Sequence, residues 1–72
     1  MAKKISVLRG LRSKNGMTQQ ALANALGVNV KQVTRWEAKE QTPSIKRLNV
    51  IVEVMDLTES DLVDLVKDYK EE

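Results

Sequence analysis

Lysine, threonine and arginine side chains recur on one side of a short segment near the middle of the chain. In a helix, where successive residues are about 100° apart, Val33 and Trp36 define an apolar side that would be buried. Lys31, Thr34 and Arg35 then project from the opposite side. Lysine or arginine can donate to guanine O6 and N7, and threonine can donate or accept. An ordinary solvated helix face is the alternative for such residues. We favour a helix that hydrogen-bonds to base edges in a DNA major groove, because the surrounding residues have the spacing of a helix-turn-helix unit.

Other residues extend this predicted surface. Asn29 at the N-cap and Val30 in the first turn lie at the end of the helix that enters the groove deepest, where Val30 can pack on a thymine methyl. Gln19 and Gln20 open the preceding helix, whose exposed N–H groups suit a phosphate. Weaker phosphate candidates are Lys39, Lys46 and Lys3 or Lys4.

Catalytic chemistry has little support in this composition. The chain contains no histidine, no cysteine and no glycine-rich phosphate loop, and its few serines have no neighbouring base. Asp61, Asp64 and Asp68 recur along one predicted helical face, which suggests either a metal site or, in our interpretation, a solvated acidic face. We therefore expect a protein that is not an enzyme and that holds no metal and no cofactor.

The segment that carries these residues has the spacing of a helix-turn-helix unit, at about 18–37. Ala23 is small where the second helix of the unit crosses close above the first, and Gly27 stands where a left-handed residue ends the first helix. Val33 and Trp36 supply the apolar edge that packs the second helix against the domain.

Four capping signals place the remaining elements. Each is an apolar residue, a capping residue and an apolar residue four positions later, and the caps are Thr18, Asn29, Ser44 and Thr58. With the N-terminal segment they predict an all-α, compact five-helix domain, with helices at about 3–15, 19–26, 30–37, 45–55 and 59–69. No segment alternates as a strand would. The expected core is Leu8, Leu11, Leu22, Ala23, Leu26, Val28, Val33, Trp36, Leu48, Ile51, Val52, Leu57 and Leu62.

Length and charge bound the organisation. We treat the 72 residues as a single domain whose stability depends on helix packing, since there are no cysteines for disulfides. Residues 1–52 carry ten basic and two acidic residues, whereas residues 53–72 carry two basic and eight acidic ones. The basic part suits phosphates, and the acidic C-terminal helix and tail, about 58–72, should face away from DNA.

No segment predicts a membrane span or a signal peptide. A targeting presequence is the alternative for the basic N-terminal stretch, but Ile5, Leu8 and Leu11 are expected in the core. The lack of cysteine fits a reducing cytoplasm.

Six short blocks follow one another at characteristic spacings: Leu8-Arg9-Gly10-Leu11-Arg12, Gly16-Met17-Thr18-Gln19, Leu22-Ala23, Leu26-Gly27-Val28, Arg35-Trp36-Glu37 and Pro43. In these blocks the chain resembles the phage-repressor-like (Cro/C1-type, XRE) family of lambda-repressor-like helix-turn-helix domains, from about Ile5 to Leu65. Lys39 and Asp56 stand where the family usually has glycine. We expect left-handed or turn conformations at both, at a cost of about 1 kcal/mol.

The resemblance implies roles for three residues. Gln19 matches the glutamine that binds the DNA phosphate backbone in family members. Arg12 and Glu37 match an internal ion pair, which would tie the first helix to the end of the recognition helix.

We expect a sequence-specific double-stranded DNA-binding transcriptional regulator, a repressor, in the cytoplasm of a prokaryote or encoded by a phage. It should be a homodimer, at least on an inverted-repeat operator. The alternative is a protein-interaction module of the same fold, either an antitoxin that binds a toxin or a coactivator-like bridge to the transcription machinery. The last predicted helix has more apolar side chains than one face of a small core can bury. We therefore expect some of them at the dimer interface, from the set Val63, Leu65, Val66 and Tyr69.

Overall fold

A computed structural model describes residues 6–70 as five α-helices joined by short loops. The helices are α1 Val7–Lys14, α2 Gln19–Leu26, α3 Val30–Glu37, α4 Ile45–Met55 and α5 Glu59–Lys70. The all-α fold is as predicted, and no strand occurs in the described part of the chain. The expectations for Lys3, Lys4 and Ile5 lie outside the described residues.

Capping side chains begin the helices where the sequence places them. Thr18 accepts from the Ala21 amide at 3.0 Å, and Asn29 accepts from the Lys31 amide at 2.8 Å. The remaining predicted caps act in the same way: Ser44 on the Arg47 amide at 3.2 Å and Thr58 on the Asp61 amide at 3.2 Å. All four predicted helix starts are therefore confirmed.

The predicted start of α1 at about residue 3 is wrong. Ser6 has extended backbone, with φ −63° and ψ 149°, and its side chain accepts from the Arg9 amide at 3.2 Å. Ser6 is thus an N-cap and the helix begins at Val7. The apolar partner that marks the other four caps is replaced here by Gly10, which is why the pattern missed it.

Left-handed residues end α2 and α4, as expected. Gly27 has φ +70°, and the amide of Val28 returns to the Ala23 carbonyl at 3.0 Å. Asp56 has φ +51° and Lys39, after α3, has φ +63°. Both departures from the family's glycine pattern therefore hold the conformations predicted for them.

The core lies where all five helices meet. It is formed by Leu8, Leu11, Leu22, Ala23, Leu26, Val33, Trp36, Leu48, Ile51, Met55, Leu65 and Tyr69. Four predicted core residues are only half-buried, namely Val28, Val52, Leu57 and Leu62. Met55, Leu65 and Tyr69 were not in the predicted core. Leu65 is fully buried and Tyr69 is 8% exposed, so of the four apolar residues from which a dimer interface was expected only Val63, exposed, and Val66, half-buried, lie at the surface.

The last turn of α5 is joined to the rest of the domain by polar contacts. Asp68 accepts from the Val7 amide at 3.0 Å and from the Lys39 ammonium at 3.1 Å. The Tyr69 hydroxyl donates to the Trp36 carbonyl at 2.7 Å. Asp68 is 7% exposed, so the interpretation of a solvated acidic face is wrong at this residue, although Asp64 is exposed. The end of α5 therefore contacts both the start of α1 and the end of α3.

Among the described residues, no group of side chains is arranged to hold a metal ion. None of the described helices is long and apolar enough to cross a membrane.

Candidate nucleic-acid interface

The helix-turn-helix unit is formed by α2, the turn at Gly27 and α3. Ala23 on α2 is fully buried, as expected for a small residue where two helices pack closely. Val33 and Trp36 are also buried and fix which side of α3 faces inward. The opposite side of α3 is consequently turned to solvent.

Three residues of the candidate interface lie on that outer side. Lys31, Thr34 and Arg35 are exposed, while Val30 is half-buried against the core. Asn29 is exposed at the start of α3, and its side-chain oxygen is used as the N-cap. Its amide N–H groups are donors that the cap does not use.

The ion pair that the resemblance implies is present in the structure. Arg12 donates through Nε to Glu37 Oε2 and through Nη2 to Glu37 Oε1, the second bond measuring 3.1 Å. Arg12 Nη1 also donates to the Met17 carbonyl at 2.7 Å. The side chains of Arg12 and Glu37 are only 13% and 5% exposed. This bidentate pair thus joins α1, the loop before α2 and the last turn of α3.

Gln19 has contacts that sequence reasoning missed. Its Nε2 donates to Glu37 Oε1 at 3.0 Å, and its Oε1 accepts from the Thr34 hydroxyl at 3.1 Å. The half-buried Gln19 therefore links the start of α2 to two successive turns of α3. No feature of the sequence pattern shows this link, because it depends on how the two helices cross.

The other phosphate candidates have different surroundings. Gln20 is exposed and donates to Asn24 at 2.9 Å. Lys46 is exposed in the first turn of α4. Lys39 is half-buried and paired with Asp68, so its ammonium already has a carboxylate partner.

Arg9 is a cation that the sequence analysis did not assign to the interface. It is exposed on α1 and lines a depression together with Gln19, Thr34 and the Arg12–Glu37 pair. Its positive charge therefore lies beside the residue that the family resemblance connects with the DNA backbone.

Comparison with known proteins identifies the family. No curated protein and no solved structure matches the chain. The Helix-turn-helix family model matches residues 8–62, which includes all of α2, α3 and α4. This family comprises DNA-binding regulators and is typically not enzymatic. The chain belongs to the Cro/C1-type (XRE) family of helix-turn-helix DNA-binding domains.

Proposed function

We propose that this protein is a sequence-specific regulator of transcription, a repressor, which inserts α3 into the major groove of double-stranded DNA. The observation that carries the proposal is the pair of exposed cations, Lys31 and Arg35, on the outer side of the recognition helix. Within residues 6–70 the two ion pairs are Arg12–Glu37 and Lys39–Asp68. Neither Lys31 nor Arg35 is therefore neutralised by a carboxylate, and both can donate to guanine.

The remaining interface residues act around this pair. Asn29 and Val30 approach base edges at the start of α3, where Val30 packs on a thymine methyl. Gln19, Gln20 and Lys46 contact phosphates, as the first-turn amides of α2 favour an anion. Lys39 reaches a phosphate only if it exchanges Asp68 for it, because Asp68 already accepts its ammonium.

The distribution of charge supports this orientation. Residues 1–52 have a net charge of +8 and residues 53–72 a net charge of −6. With α3 against DNA, the strongly basic part of the chain contributes the attraction, and the acidic residues concentrated in α5 are kept at a distance.

The proposed assembly on DNA is a homodimer on an inverted repeat, because one recognition helix contacts too few base pairs for high specificity. A groove of about 390 Å³ between α4 and α5 has apolar walls formed in part by Leu48, Leu62 and Val66. Ile45 lies at this groove and is 77% exposed. Since a two-fold interface uses the same patch on both copies, Ile45 of each copy would fill the groove of the other.

Selection of bound sites from random duplex DNA tests the proposal. Variants are then titrated against the selected site and a scrambled duplex at several salt concentrations. Lys31→Ala or Arg35→Ala should cost about 1 to 3 kcal/mol on the selected site and relax the preference at one base pair. Lys46→Ala should weaken both duplexes and reduce the salt slope by about one unit. Gln19→Ala should weaken both duplexes alike with the slope unchanged.

Ser13→Ala, which removes an exposed hydroxyl from α1, is the control. If Lys31→Ala and Arg35→Ala both leave the ratio of the two affinities intact, α3 is not the element that recognises sequence. An absence of salt-dependent DNA binding would instead favour the protein-interaction alternative, a toxin-binding antitoxin or a bridge to the transcription machinery.

A further inference from the structure

We propose that Thr34 is a positioning residue which, together with Glu37, orients the side-chain amide of Gln19 toward a DNA phosphate, and that it does not itself recognise a base. The inference rests on the proposed function, because it concerns the same interface. It reassigns Thr34, which the pattern of exposed residues on α3 places among the base-contacting residues.

The three side chains form a chain of hydrogen bonds from the interior to the surface. Glu37 is 5% exposed in its side chain, Gln19 is half-buried and Thr34 is exposed. Glu37 Oε1 accepts from Gln19 Nε2 at 3.0 Å, and Gln19 Oε1 accepts from Thr34 Oγ1 at 3.1 Å. At the inner end, the bidentate bond to Arg12 holds the Glu37 carboxylate in place.

This arrangement admits one orientation of the Gln19 amide. A carboxylate can only accept hydrogen bonds, so the amide nitrogen must face Glu37 and the amide oxygen must face Thr34. The flipped amide would bring two oxygens together at Glu37. An amide nitrogen carries two protons and Glu37 uses one. The second remains available for a phosphate oxygen, which is also only an acceptor.

The only proton of the Thr34 hydroxyl is already used within the protein, so toward a base this hydroxyl could act only as an acceptor. Its single proton is directed to Gln19 Oε1 or to the Val30 carbonyl, both at 3.1 Å. To donate to a base, Thr34 would have to release the Gln19 amide. The loss of the Thr34 hydroxyl should therefore weaken binding to the DNA phosphate backbone, which is the same in all sequences.

The test replaces Thr34 in two ways and measures affinity for the selected and the scrambled duplex. Thr34→Val removes the hydroxyl and preserves the shape, and we expect it to weaken both duplexes by a similar factor, on the order of 2- to 10-fold. Thr34→Ser retains the hydroxyl and should bind as the unmodified protein does. A doubly substituted protein, Thr34→Val with Gln19→Ala, should bind no more weakly than Gln19→Ala alone, since both changes act through one amide.

Two results on DNA would overturn the inference. The first is a loss on the selected duplex alone after Thr34→Val, which would make Thr34 a base contact. The second is a doubly substituted protein whose loss of DNA affinity equals the product of the two single losses. That result would show that Thr34 and Gln19 act on DNA binding independently. Ser13→Ala serves again as the control that removes a hydroxyl outside the network.

A measurement on the free protein separates this inference from the proposed function. The nitrogen-15 and proton resonances of the side-chain amide group of Gln19 should shift in Thr34→Val. They should keep their positions in Thr34→Ser and in Ser13→Ala. An unmoved Gln19 resonance in Thr34→Val overturns the positioning role even if DNA binding is normal. A shifted resonance in a protein that shows no DNA binding at all overturns the proposed function while the network stands.

Discussion

At the scale of single residues, Glu37 is the shared acceptor that connects packing with the candidate interface. Its carboxylate accepts from Arg12 and from Gln19 while only 5% of its side chain is exposed. A buried charge is costly unless it is paired and hydrogen-bonded. Removal of one partner should therefore destabilise the fold strongly, because the other charge is then left buried and unpaired.

Glu37→Ala should lower the free energy of unfolding by about 3 kcal/mol, because the Arg12 side chain, only 13% exposed, is left without its carboxylate. Urea denaturation of the variant checks this. Glu53→Ala, which removes an exposed carboxylate from α4, should change the same quantity by less than about 0.5 kcal/mol. Equal losses in the two variants would show that the ion pair does not stabilise the fold.

At the scale of elements, the last turn of α5 contacts the end of α3 on its buried side, opposite the candidate interface. Tyr69 donates its hydroxyl proton to the Trp36 carbonyl, in the turn of α3 that also carries Glu37. Burial of the phenol, with smaller effects of the Asp68 and Glu37 carboxylates, raises the pKa of Tyr69 above its ordinary value of 10.0. The folded protein therefore keeps the phenol protonated, which is the form that donates.

Tyr69→Phe should lower the free energy of unfolding at neutral pH by about 1 kcal/mol, through the lost hydrogen bond. The contribution of the phenol is fully present below pH 10 and is lost as the pH rises further, because the unfolded phenol then releases its proton while the folded one retains it. The difference between the two proteins should thus narrow above pH 10. The lysines titrate in both proteins and cancel in the comparison. A difference that stays constant up to pH 11 would contradict this account.

The elements themselves were largely predictable from the sequence, and their long-range contacts were not. Four helix starts follow from capping residues such as Thr18 and Asn29, which act on amides two or three positions away. Because a capping residue and its amide are close together in the chain, a single sequence is enough to predict them. Asp68 and Tyr69 contact Val7 and Trp36, which are distant in the chain. The spacing of Leu65 and Tyr69 marks an apolar side of α5, but it does not show which distant groups the end of α5 contacts.

The candidate site divides in the same way. The exposure of Lys31 and Arg35 follows from the helical period once Trp36 is taken as buried. The Arg12–Glu37 pair was inferred from the family resemblance. The bonds from Gln19 to Thr34 and Glu37 depend on the crossing of α2 and α3, and the helical period of one helix does not contain that information.

At the scale of the whole molecule, the domain presents two different surfaces. Exposed cations flank α3, whereas the groove between α4 and α5 is apolar and has Ile45 at its edge. An exposed isoleucine beside an apolar groove is unfavourable in water and favourable in a self-complementary contact. The two surfaces together suit a protein that pairs with a second copy while it binds DNA.

Ile45→Ser tests the proposed pairing separately from DNA binding. An isoleucine that becomes buried on each copy contributes roughly 1.5 to 3 kcal/mol, so the affinity for an operator with two half-sites should fall by at least about tenfold. Affinity for a duplex with one half-site should not change, and neither should the melting temperature, because Ile45 is 77% exposed in the monomer. Val63→Ser is the comparison, since Val63 is also exposed and was among the expected interface residues but does not line the groove. A loss of operator affinity in Val63→Ser alone would place the contact on α5 outside the groove. Footprinting across half-sites placed about one helical turn apart provides the measurement. Cooperative protection that survives Ile45→Ser, or protection of a single half-site by the unmodified protein, would exclude this groove as the dimer contact.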